Sequence, residues 1–373
     1  MEVMLLGDLH FAEYKDFSKN LLVSWDESNL QYVIDPKGKK INSRLLDIAN
    51  AMVEAREYCV VNKINLVIIT GDVSHNRGAV PTTVQNVEYK ILESFRLRNI
   101  ELLIIPGNHD QVSNEDFPDN SLVPFRNIAT ILNAPTTLTR DGLQMLCIPF
   151  SPNKDIVLEA INSFVPVPVM DSNLIVAHLG VSGGVTGKNS YVLTDQYDIS
   201  ELRYLDEDID LVALGHYHKP QVVPGTLDKV FYTGSPVQNN FGEEGEFHGF
   251  WIYDTETKEL VAYPLNAPRF ITLTKDNYTN YSKEDLSGNF VRVIGNLEEI
   301  ADINVAINTK EHEDAGMLRI ETQKEYESEH RSDISAALSY LETVSLYAEE
   351  NNFSEDQVKI GLDILNSVLE SEV

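Results

Sequence analysis

The sequence predicts an α/β domain whose buried strands lie side by side and end in polar residues. Five apolar runs of strand length lack the alternation of a half-exposed strand, and such runs are typical of strands buried on both faces. Because turns that follow neighbouring buried strands share one edge of a sheet, the residues after these runs should meet in one crevice. The runs are residues 3–6, 66–69, 102–105, 174–176 and 211–214.

The five segments after these runs concentrate the histidines of the chain, since six of the nine lie in them. Carboxylate, amide and imidazole groups brought together suit two divalent cations of the Mn, Fe or Zn kind, and such a pair suits the hydrolysis of phosphate esters. The glycines allow sharp turns after the strands. The segments are Gly7-Asp8-Leu9-His10, Gly71-Asp72-Val73-Ser74-His75, Gly107-Asn108-His109-Asp110, Ala177-His178 and Gly215-His216-Tyr217-His218.

Each segment alone also has an explanation without a metal. A Gly-Asp pair such as the one at Asp72 often opens a turn after a strand. Asn108 suits a left-handed turn, and a single histidine such as His178 is often a hydrogen-bonded core residue. These explanations would have to hold for all five segments at once, whereas one shared metal site accounts for them together.

The order Asp-x-His, Gly-Asp, Gly-Asn-His-Asp, His and Gly-His-x-His resembles the calcineurin-like metallophosphoesterase superfamily over roughly the first two-thirds of the chain. The resemblance implies a two-sheet β-sandwich flanked by helices. It also implies that Asp72 bridges two metal ions, and water between two such cations ionises near neutral pH. The implied outer ligands are Asp8, His10 and His218 for one metal and Asn108, His178 and His216 for the other.

The same resemblance implies a catalytic group that is not a metal ligand. His109 corresponds to the family's catalytic histidine, and Asp110 would orient it. An imidazolium at this position can stabilise or protonate the leaving oxygen. His75 is the third candidate catalytic residue. It is either a turn histidine hydrogen-bonded near Asp72 or a group that touches the substrate phosphate or helps hold the metal-bound water.

Two segments outside the metal motifs resemble the nuclease subunit of SbcCD-type double-strand-break processing complexes and their phage recombination counterparts. They are residues 73–77 and a stretch in which residues 232–238 lead to residues 241–244 and 249–250. Phe11 and Ser74 depart from the leucine and the aromatic residue usual in that family. The resemblance implies DNA as the substrate, manganese as the metal with magnesium, iron or zinc as alternatives, an SMC-like ATPase as partner, and a dimer of the nuclease subunit.

Two features near the metal motifs have an explanation that does not involve phosphate binding. Arg77 is either a phosphate contact or a solvated loop residue. The glycine-rich stretch at residues 180–188 does not have the spacing of a phosphate-binding P-loop, and we expect a mobile loop beside the site.

The net charge of −29 at pH 7 does not suit a protein that grips duplex DNA by itself. Such proteins usually carry a basic face, because neutralised phosphates supply most of the non-specific affinity. Either metals and a few local bases handle the phosphates, or a partner supplies the DNA-binding surface, and we favour the partner. Solubility is a simpler explanation of the acidity alone.

Length and composition predict one large domain with smaller additions. A chain of 373 residues can bury one large core and leave about a hundred residues for other modules. We expect a cytoplasmic protein, because the sequence contains no membrane-length apolar stretch and no signal-type beginning. Cys59 and Cys147 are too few for a disulfide scaffold and should be buried.

We expect three parts: a nuclease domain at residues 1–267, a small α+β cap at 268–330 and a helical partner-binding tail at 331–373. A hairpin should close the first part, and the connection at residues 11–40 is long enough to act as a lid. The hairpin strands are predicted at residues 250–253 and 260–263, and the cap elements are strands at 270–273, 290–294 and 317–320 with a helix at 297–307.

The tail should form two amphipathic helices with apolar residues at helical spacing. Ser354 begins the second helix, and Gln357 completes its capping box. The helices either pack on the cap or offer an apolar face to helices of another chain, and the resemblance implies the coiled coil of the ATPase. The apolar stripes are Ile334-Leu338-Leu341-Val344-Ala348 and Val358-Leu362-Leu365-Leu369.

The sequence therefore predicts a metal-dependent DNA nuclease. Two alternatives stay open. A phosphodiesterase or phosphomonoesterase acting on small molecules would share the metal site but would not need the helical tail. A non-catalytic binding subunit would keep the fold without turnover, although none of the expected metal ligands is missing.

Overall fold

A computed structural model describes residues 1–185, 197–307 and 358–359. The fold belongs to the unit Met1–Thr322, and of the unit Gln323–Val373 only residues 358 and 359 are described. The predicted strand at 317–320 and nearly all of the predicted tail lie outside the described residues. Among the described residues, no helix combines the length and the apolar character needed to cross a membrane.

The strands follow one another along the chain in short segments. They are β1 (Glu2–Leu6), β2 (Asn20–Asp26), β3 (Gln31–Ile34), β4 (Lys39–Asn42), β5 (Leu66–Ile69), β6 (Glu101–Ile104), β7 (Thr130–Ile131), β8 (Thr136–Arg140), β9 (Leu143–Ile148), β10 (Ser172–His178), β11 (Leu211–Gly215), β12 (Gln221–Val222), β13 (Val230–Tyr232), β14 (Gly249–Asp254), β15 (Leu260–Pro264), β16 (Phe270–Leu273) and β17 (Phe290–Val293). The α-helices are α1 (Ser43–Asn62), α2 (Thr82–Leu97), α3 (Lys154–Ser163), α4 (Lys283–Leu286) and α5 (Leu297–Ala306). All five strands predicted from the apolar runs are present.

Two six-stranded sheets form the main domain. The first has the order β15-β14-β1-β5-β6-β7 and the second the order β12-β13-β11-β10-β9-β8. Within each sheet four consecutive strands are parallel, and the remaining strands are antiparallel to their neighbours. The predicted hairpin is β14 and β15, and β14 pairs with β1, so that the chain returns to its first strand.

The sheets face each other and are covered by helices on their outer faces. One apolar core contains residues of both sheets, among them Leu5 from β1 and Val176 from β10. A second core joins the outer face of the first sheet to α1 and α2, and a third joins the second sheet to α3. Successive residues of β1 enter different cores, with Leu5 between the sheets and Leu6 under the helices. Burial of both strand faces explains the continuous apolar runs.

The connection at residues 11–40, which is long enough to act as a lid, is largely folded. With residues 41 and 42 it supplies the antiparallel strands β3-β2-β4, and β3 packs on α1. Within these strands, Val23 and Ile41 contribute buried apolar side chains to the neighbouring core. Such sparse burial produces no strong apolar pattern in the sequence, and pairing among these neighbouring segments decides the structure instead.

The described part of the predicted cap is a small unit with its own core. The strands β16 and β17 are parallel, and α5 follows them with a capping box at Asn296 and Glu299. These elements agree with the expected strands and helix within one residue at each end. Cys59 and Cys147 are both buried and free, as the sequence predicts.

The packing between the sheets yields a stability prediction. Phe231 is fully buried there, and its ring contacts the Trp251 ring edge-on at a centroid distance of 5.2 Å. We expect Phe231→Ala to lower the free energy of unfolding by about 3–5 kcal/mol, because a void remains between the sheets. Val61→Ala, at a side chain that is 76% exposed, should change it by less than about 0.5 kcal/mol. Denaturant titration measures both values, and equal losses would contradict the two-sheet core.

Candidate metal centre

The parallel strands deliver the polar segments to one edge of the two sheets. Leu6 of β1 is paired with Ile69 of β5, so the turns after these strands run side by side. The Asp8 amide donates to the Gly71 carbonyl and the His10 amide to the Asp72 carbonyl, each at 3.0 Å. In the second sheet, His178 at the end of β10 is paired with Gly215 at the end of β11.

A first group of donors consists of Asp8, His10 and His218. Their ligand atoms all lie within 4.8 Å of one another, as a single metal ion requires. Asp8 and His10 are buried, and the Asp8 carboxylate accepts the His216 amide hydrogen at 3.0 Å. The structure therefore brings together the three residues expected at the first metal.

A second group surrounds the Asn108 side chain. Its Oδ1 lies 3.1 Å from Nε2 of His178 and 3.1 Å from Nδ1 of His216. Because Nδ1 of His178 lies 2.8 Å from the Thr70 carbonyl, it must carry the proton, and Nε2 of the neutral ring presents a lone pair. A lone pair facing an amide oxygen at this distance suits a cation between them. The fixed ring orientation is typical of histidine ligands.

Asp72 lies between the two groups. Its Oδ2 is 3.6 Å from Nε2 of His10 and 3.5 Å from Nε2 of His178. Its Oδ1 accepts the His109 amide hydrogen at 2.8 Å, which fixes the plane of the carboxylate. One carboxylate oxygen thus faces a donor of each group, as expected for a residue that bridges two cations.

A buried nitrogen provides a further test of whether these residues fit metal ions. Nε2 of His10 is buried and has no hydrogen-bond partner among the described residues. An unsatisfied buried polar atom is costly, and a cation shared with Asp72 would satisfy it. The donors are a mixture of carboxylate, amide and imidazole groups, which suits Mn, Fe or Zn. The residues present therefore fit two divalent cations.

The electrostatics of the site favour neutral imidazoles at His10 and His216. Burial lowers the pKa of His10 well below its usual value, with His218 and His109 adding to the effect. Burial also lowers the pKa of His216 to about 4. Burial raises the pKa of the Asp8 carboxyl to about 6, against the opposing charges of His178 and His218. Neutral imidazoles are the form that binds metal.

Four of the expected ligands have left-handed backbone conformations. The φ angles are 48° for Asp8, 49° for His10, 51° for Asp72 and 101° for His216. Such angles are uncommon for residues other than glycine, and strained residues concentrate at functional sites. Gly107 belongs to the same arrangement, because a Cβ atom there would overlap the Asp72 carboxylate. The sequence motifs contain no direct sign of this strain.

His218 is held by a residue to which the sequence analysis gave no role. Its Nδ1 lies 3.0 Å from Oε1 of Glu243, which is buried, so Nε2 is available for a metal. Burial lowers the pKa of His218, but the hydrogen bond to Glu243 and the charges of Asp8 and Glu243 raise it to about 9. Glu243 lies in the segment Phe241-Gly242-Glu243-Glu244, which contributed to the resemblance to nuclease subunits. The position of the segment in the sequence does not show that Glu243 contacts His218. The contact of the Thr70 carbonyl with His178 also leaves no recognisable pattern in the sequence.

The structure corrects one expected contact, the orientation of His109 by Asp110. The buried Asp110 carboxylate instead accepts backbone amide hydrogens from Ser74 and Gly107, both at 2.9 Å, and so joins the two turns. Nδ1 of His109 lies 2.7 Å from the His75 carbonyl, which can only accept. Burial of Asp110 between backbone donors explains the difference, because these groups occupy its oxygens.

The side chain of His75 lies beside the first group of donors. Its Nδ1 is 3.2 Å from Nδ1 of His10, and its ring stacks on His109 at a centroid distance of 5.4 Å. Arg77 contacts the Gln111 carbonyl at 3.3 Å and the Asn114 side chain, so it holds the neighbouring loop. The loop expected at residues 180–188 lies only partly within the described residues.

Comparison with known proteins identifies the family of the chain. The model of the calcineurin-like phosphoesterase family matches residues 1–220, more than half of the chain. The chain belongs to the calcineurin-like phosphoesterase family. It is therefore a hydrolase of phosphoester bonds. This membership accounts for the mixed α/β fold and for the convergence of the motifs.

Some phosphoesterases with similar sequences are named nucleases. A subunit of the nuclease SbcCD from Staphylococcus epidermidis is 23% identical over 66% of this chain and 72% of its own. Exonuclease subunit 1 of Enterobacteria phage T4 is 28% identical over 57% of this chain and 60% of its own. A dimetal phosphatase from Danio rerio has a TM-score of 0.39 and 10% identity, covering 68% of this chain and 91% of its own.

The contact of Glu243 with His218 yields a prediction on metal affinity. Glu243→Gln removes the carboxylate that orients the ring, and we expect Mn²⁺ affinity to fall about 10- to 100-fold. Glu244→Gln is the matched control, because Glu244 bonds the Thr272 amide and hydroxyl at 2.6 Å each. Titration calorimetry with Mn²⁺ measures both variants. An equal loss in the control would assign the effect to the segment and not to His218.

Proposed function

We propose that the protein is a manganese-activated DNA nuclease and the catalytic subunit of a DNA repair or recombination complex. The observation that carries the proposal is the Asp72 carboxylate, which has one oxygen within 3.6 Å of a donor of each group. The nuclease names of two relatives support DNA as the substrate. The metal identity and the role of each residue are parts of this proposal.

In the proposed mechanism the residues hold the cations and position the phosphate. Divalent cations bound here supply Lewis acidity and lower the pKa of a water molecule. Asp72 would lie between the two cations. In-line attack of a water oxygen on phosphorus, with loss of a proton from the water, forms one P–O bond and breaks the bond to the leaving oxygen, which departs as an alkoxide and must take up a proton. The residues that would hold the cations on the outer sides are Asp8, His10 and His218 at one site and Asn108, His178 and His216 at the other.

His109 is the group proposed to act on the leaving oxygen. Its ring is held by the His75 carbonyl and stacks on the His75 ring, so its orientation is fixed without a metal. Because Nδ1 carries the hydrogen bond, Nε2 is the atom that would donate a proton when the ring is charged. His75 lies on the same side of His10 and is proposed to contact the substrate phosphate.

A variant of His109 separates chemistry from metal binding. We expect His109→Ala to retain both metals and to lose rate by a factor on the order of 10² to 10⁴. His75→Ala is a useful comparison, because the backbone carbonyl that holds His109 remains. Elemental analysis and single-turnover cleavage measure the two effects. Loss of a metal from His109→Ala would make this residue a ligand, contrary to the proposal.

The nuclease proposal is tested on substrates of different size. End-labelled single-stranded DNA, a nucleotide monoester and a chromogenic diester are incubated with Mn²⁺, with Mg²⁺ and with a chelator. We expect Mn²⁺-dependent cleavage of DNA and none with the chelator or with Asp72→Asn, purified in parallel to exclude contaminating nucleases. A preference for either small ester would favour the small-molecule esterase, and absence of any turnover would favour a binding subunit.

The partner proposal concerns the tail at residues 331–373, which lies almost entirely outside the described residues. Its apolar stripes, together with the subunit names of the relatives, support docking of an SMC-like ATPase. We expect deletion of residues 331–373 to preserve Mn²⁺-dependent cleavage of short single-stranded DNA and to abolish ATP-stimulated cleavage by the reconstituted complex. Co-purification of the truncated chain with the ATPase would contradict the docking role.

A further inference from the structure

A groove of about 710 Å³ lies between the sheet β2–β4 and the first turns of α2. None of the residues that line it is a candidate metal ligand. Three half-buried aromatic side chains, Trp25, Tyr32 and Tyr89, contribute to its walls. The groove is therefore a separate surface feature, and the proposed mechanism does not use it.

The charge of the groove is opposite to that of the whole chain. The chain has 58 acidic and 29 basic residues, yet four lysines and only two carboxylates line the groove. A local excess of cations on an acidic protein attracts anions, including nucleic-acid phosphates. The lysines are Lys37, Lys39, Lys40 and Lys90, and the carboxylates are Asp35 and Glu93.

Aromatic rings and cations are combined in the groove. The Trp25 and Tyr32 rings meet edge-on at a centroid distance of 5.0 Å. Nζ of Lys90 lies 5.1 Å from the centre of the Trp25 ring and 3.4 Å from Glu27. Proteins that bind single strands without sequence preference use such combinations, because every base has a π-face and every nucleotide a phosphate.

Both walls of the groove are connected to the metal centre by short segments. Tyr14, whose hydroxyl donates to the His10 carbonyl at 3.2 Å, precedes β2 by six residues. The helix α2 begins seven residues after His75. Trp25 lies five residues beyond the start of β2, which is about 17 Å of strand. Phosphates of one duplex strand repeat about every 3.4 Å along the helix axis and lie farther apart in an extended single strand, so about five nucleotides or fewer cover this length.

We propose that this groove binds the single-stranded part of a nucleic-acid substrate, with its lysines on phosphates and its aromatic rings on bases. The identity of this occupant rests on the proposed nuclease function. The groove would then hold a strand whose end is cleaved at the metal centre. It would also supply the local basic surface that the net charge of the chain does not predict.

The lysines are tested by binding in the presence of a chelator, so that no cleavage occurs. The probe is a labelled oligothymidylate of about 16 nucleotides, and fluorescence anisotropy is measured over a range of salt concentrations. The plot of log affinity against log salt has a negative slope. Replacing Lys37, Lys39 and Lys40 by alanine should make this slope shallower by about 2, because each lost phosphate contact on a single strand accounts for roughly 0.7. The control replaces three exposed lysines elsewhere, Lys154, Lys275 and Lys283, and changes the net charge equally.

The proposed stacking of a base on Trp25 is tested separately, by tryptophan fluorescence. The chain has two tryptophans, and Trp251 is only 9% exposed, so quenching by oligothymidylate reports mainly on Trp25. We expect Trp25→Leu to weaken binding by on the order of tenfold or more, and Trp25→Phe to retain most of the affinity because it keeps an aromatic face. Equal affinities for the wild type and Trp25→Leu would remove the stacking role.

Cleavage assays separate this inference from the nuclease proposal. In Mn²⁺, the fold loss caused by the groove lysine variant should grow with oligonucleotide length. If the wild type cleaves DNA and both triple variants behave alike, the groove inference fails and the nuclease proposal stands. If the wild type neither binds nor cleaves DNA, both fail. If the groove variant instead changes the sedimentation of the protein, the groove is a contact between copies of this chain.

Discussion

The burial of the Asp72 carboxylate between two sets of imidazole nitrogens is the constraint on which the site depends. A carboxylate that is 2% exposed requires compensation, and a single amide hydrogen from His109 supplies only part of it. The orphaned Nε2 of His10 lies beside the same carboxylate. Two divalent cations would satisfy both.

The strain and the hydrogen bonds around this carboxylate serve the same arrangement. Left-handed conformations at Asp8, His10 and Asp72 turn the chain sharply after β1 and β5. Asp110 joins the turns after β5 and β6 through the backbone amides of Ser74 and Gly107, which explains why a carboxylate beside His109 does not orient that ring. Rigid attachment of ligands is what a site for paired metals requires, since small displacements weaken metal binding and catalysis.

The segment at residues 238–246 connects the metal centre to the small α+β unit. Glu243 holds His218, and the next residue, Glu244, accepts the Thr272 amide and hydroxyl of β16. The side-chain oxygen of Gln238 accepts the Phe270 amide hydrogen at 2.7 Å. A displacement of β16 would therefore act on the same short segment that orients a candidate ligand. The proposed cap and the proposed active site share this physical link.

The buried strands, the segments that follow them and the type of chemistry were predictable from the amino-acid sequence alone. Strands buried on both faces leave continuous apolar runs, and parallel strands send their turns to one edge, so local patterns were sufficient. The contact of Glu243 with His218, the contact of the His75 carbonyl with His109 and the strands within residues 11–40 are visible only in the folded structure. The two contacts join residues 25 and 34 positions apart in the chain, and the strands bury few apolar side chains, so none of these features leaves a periodic signal in the sequence.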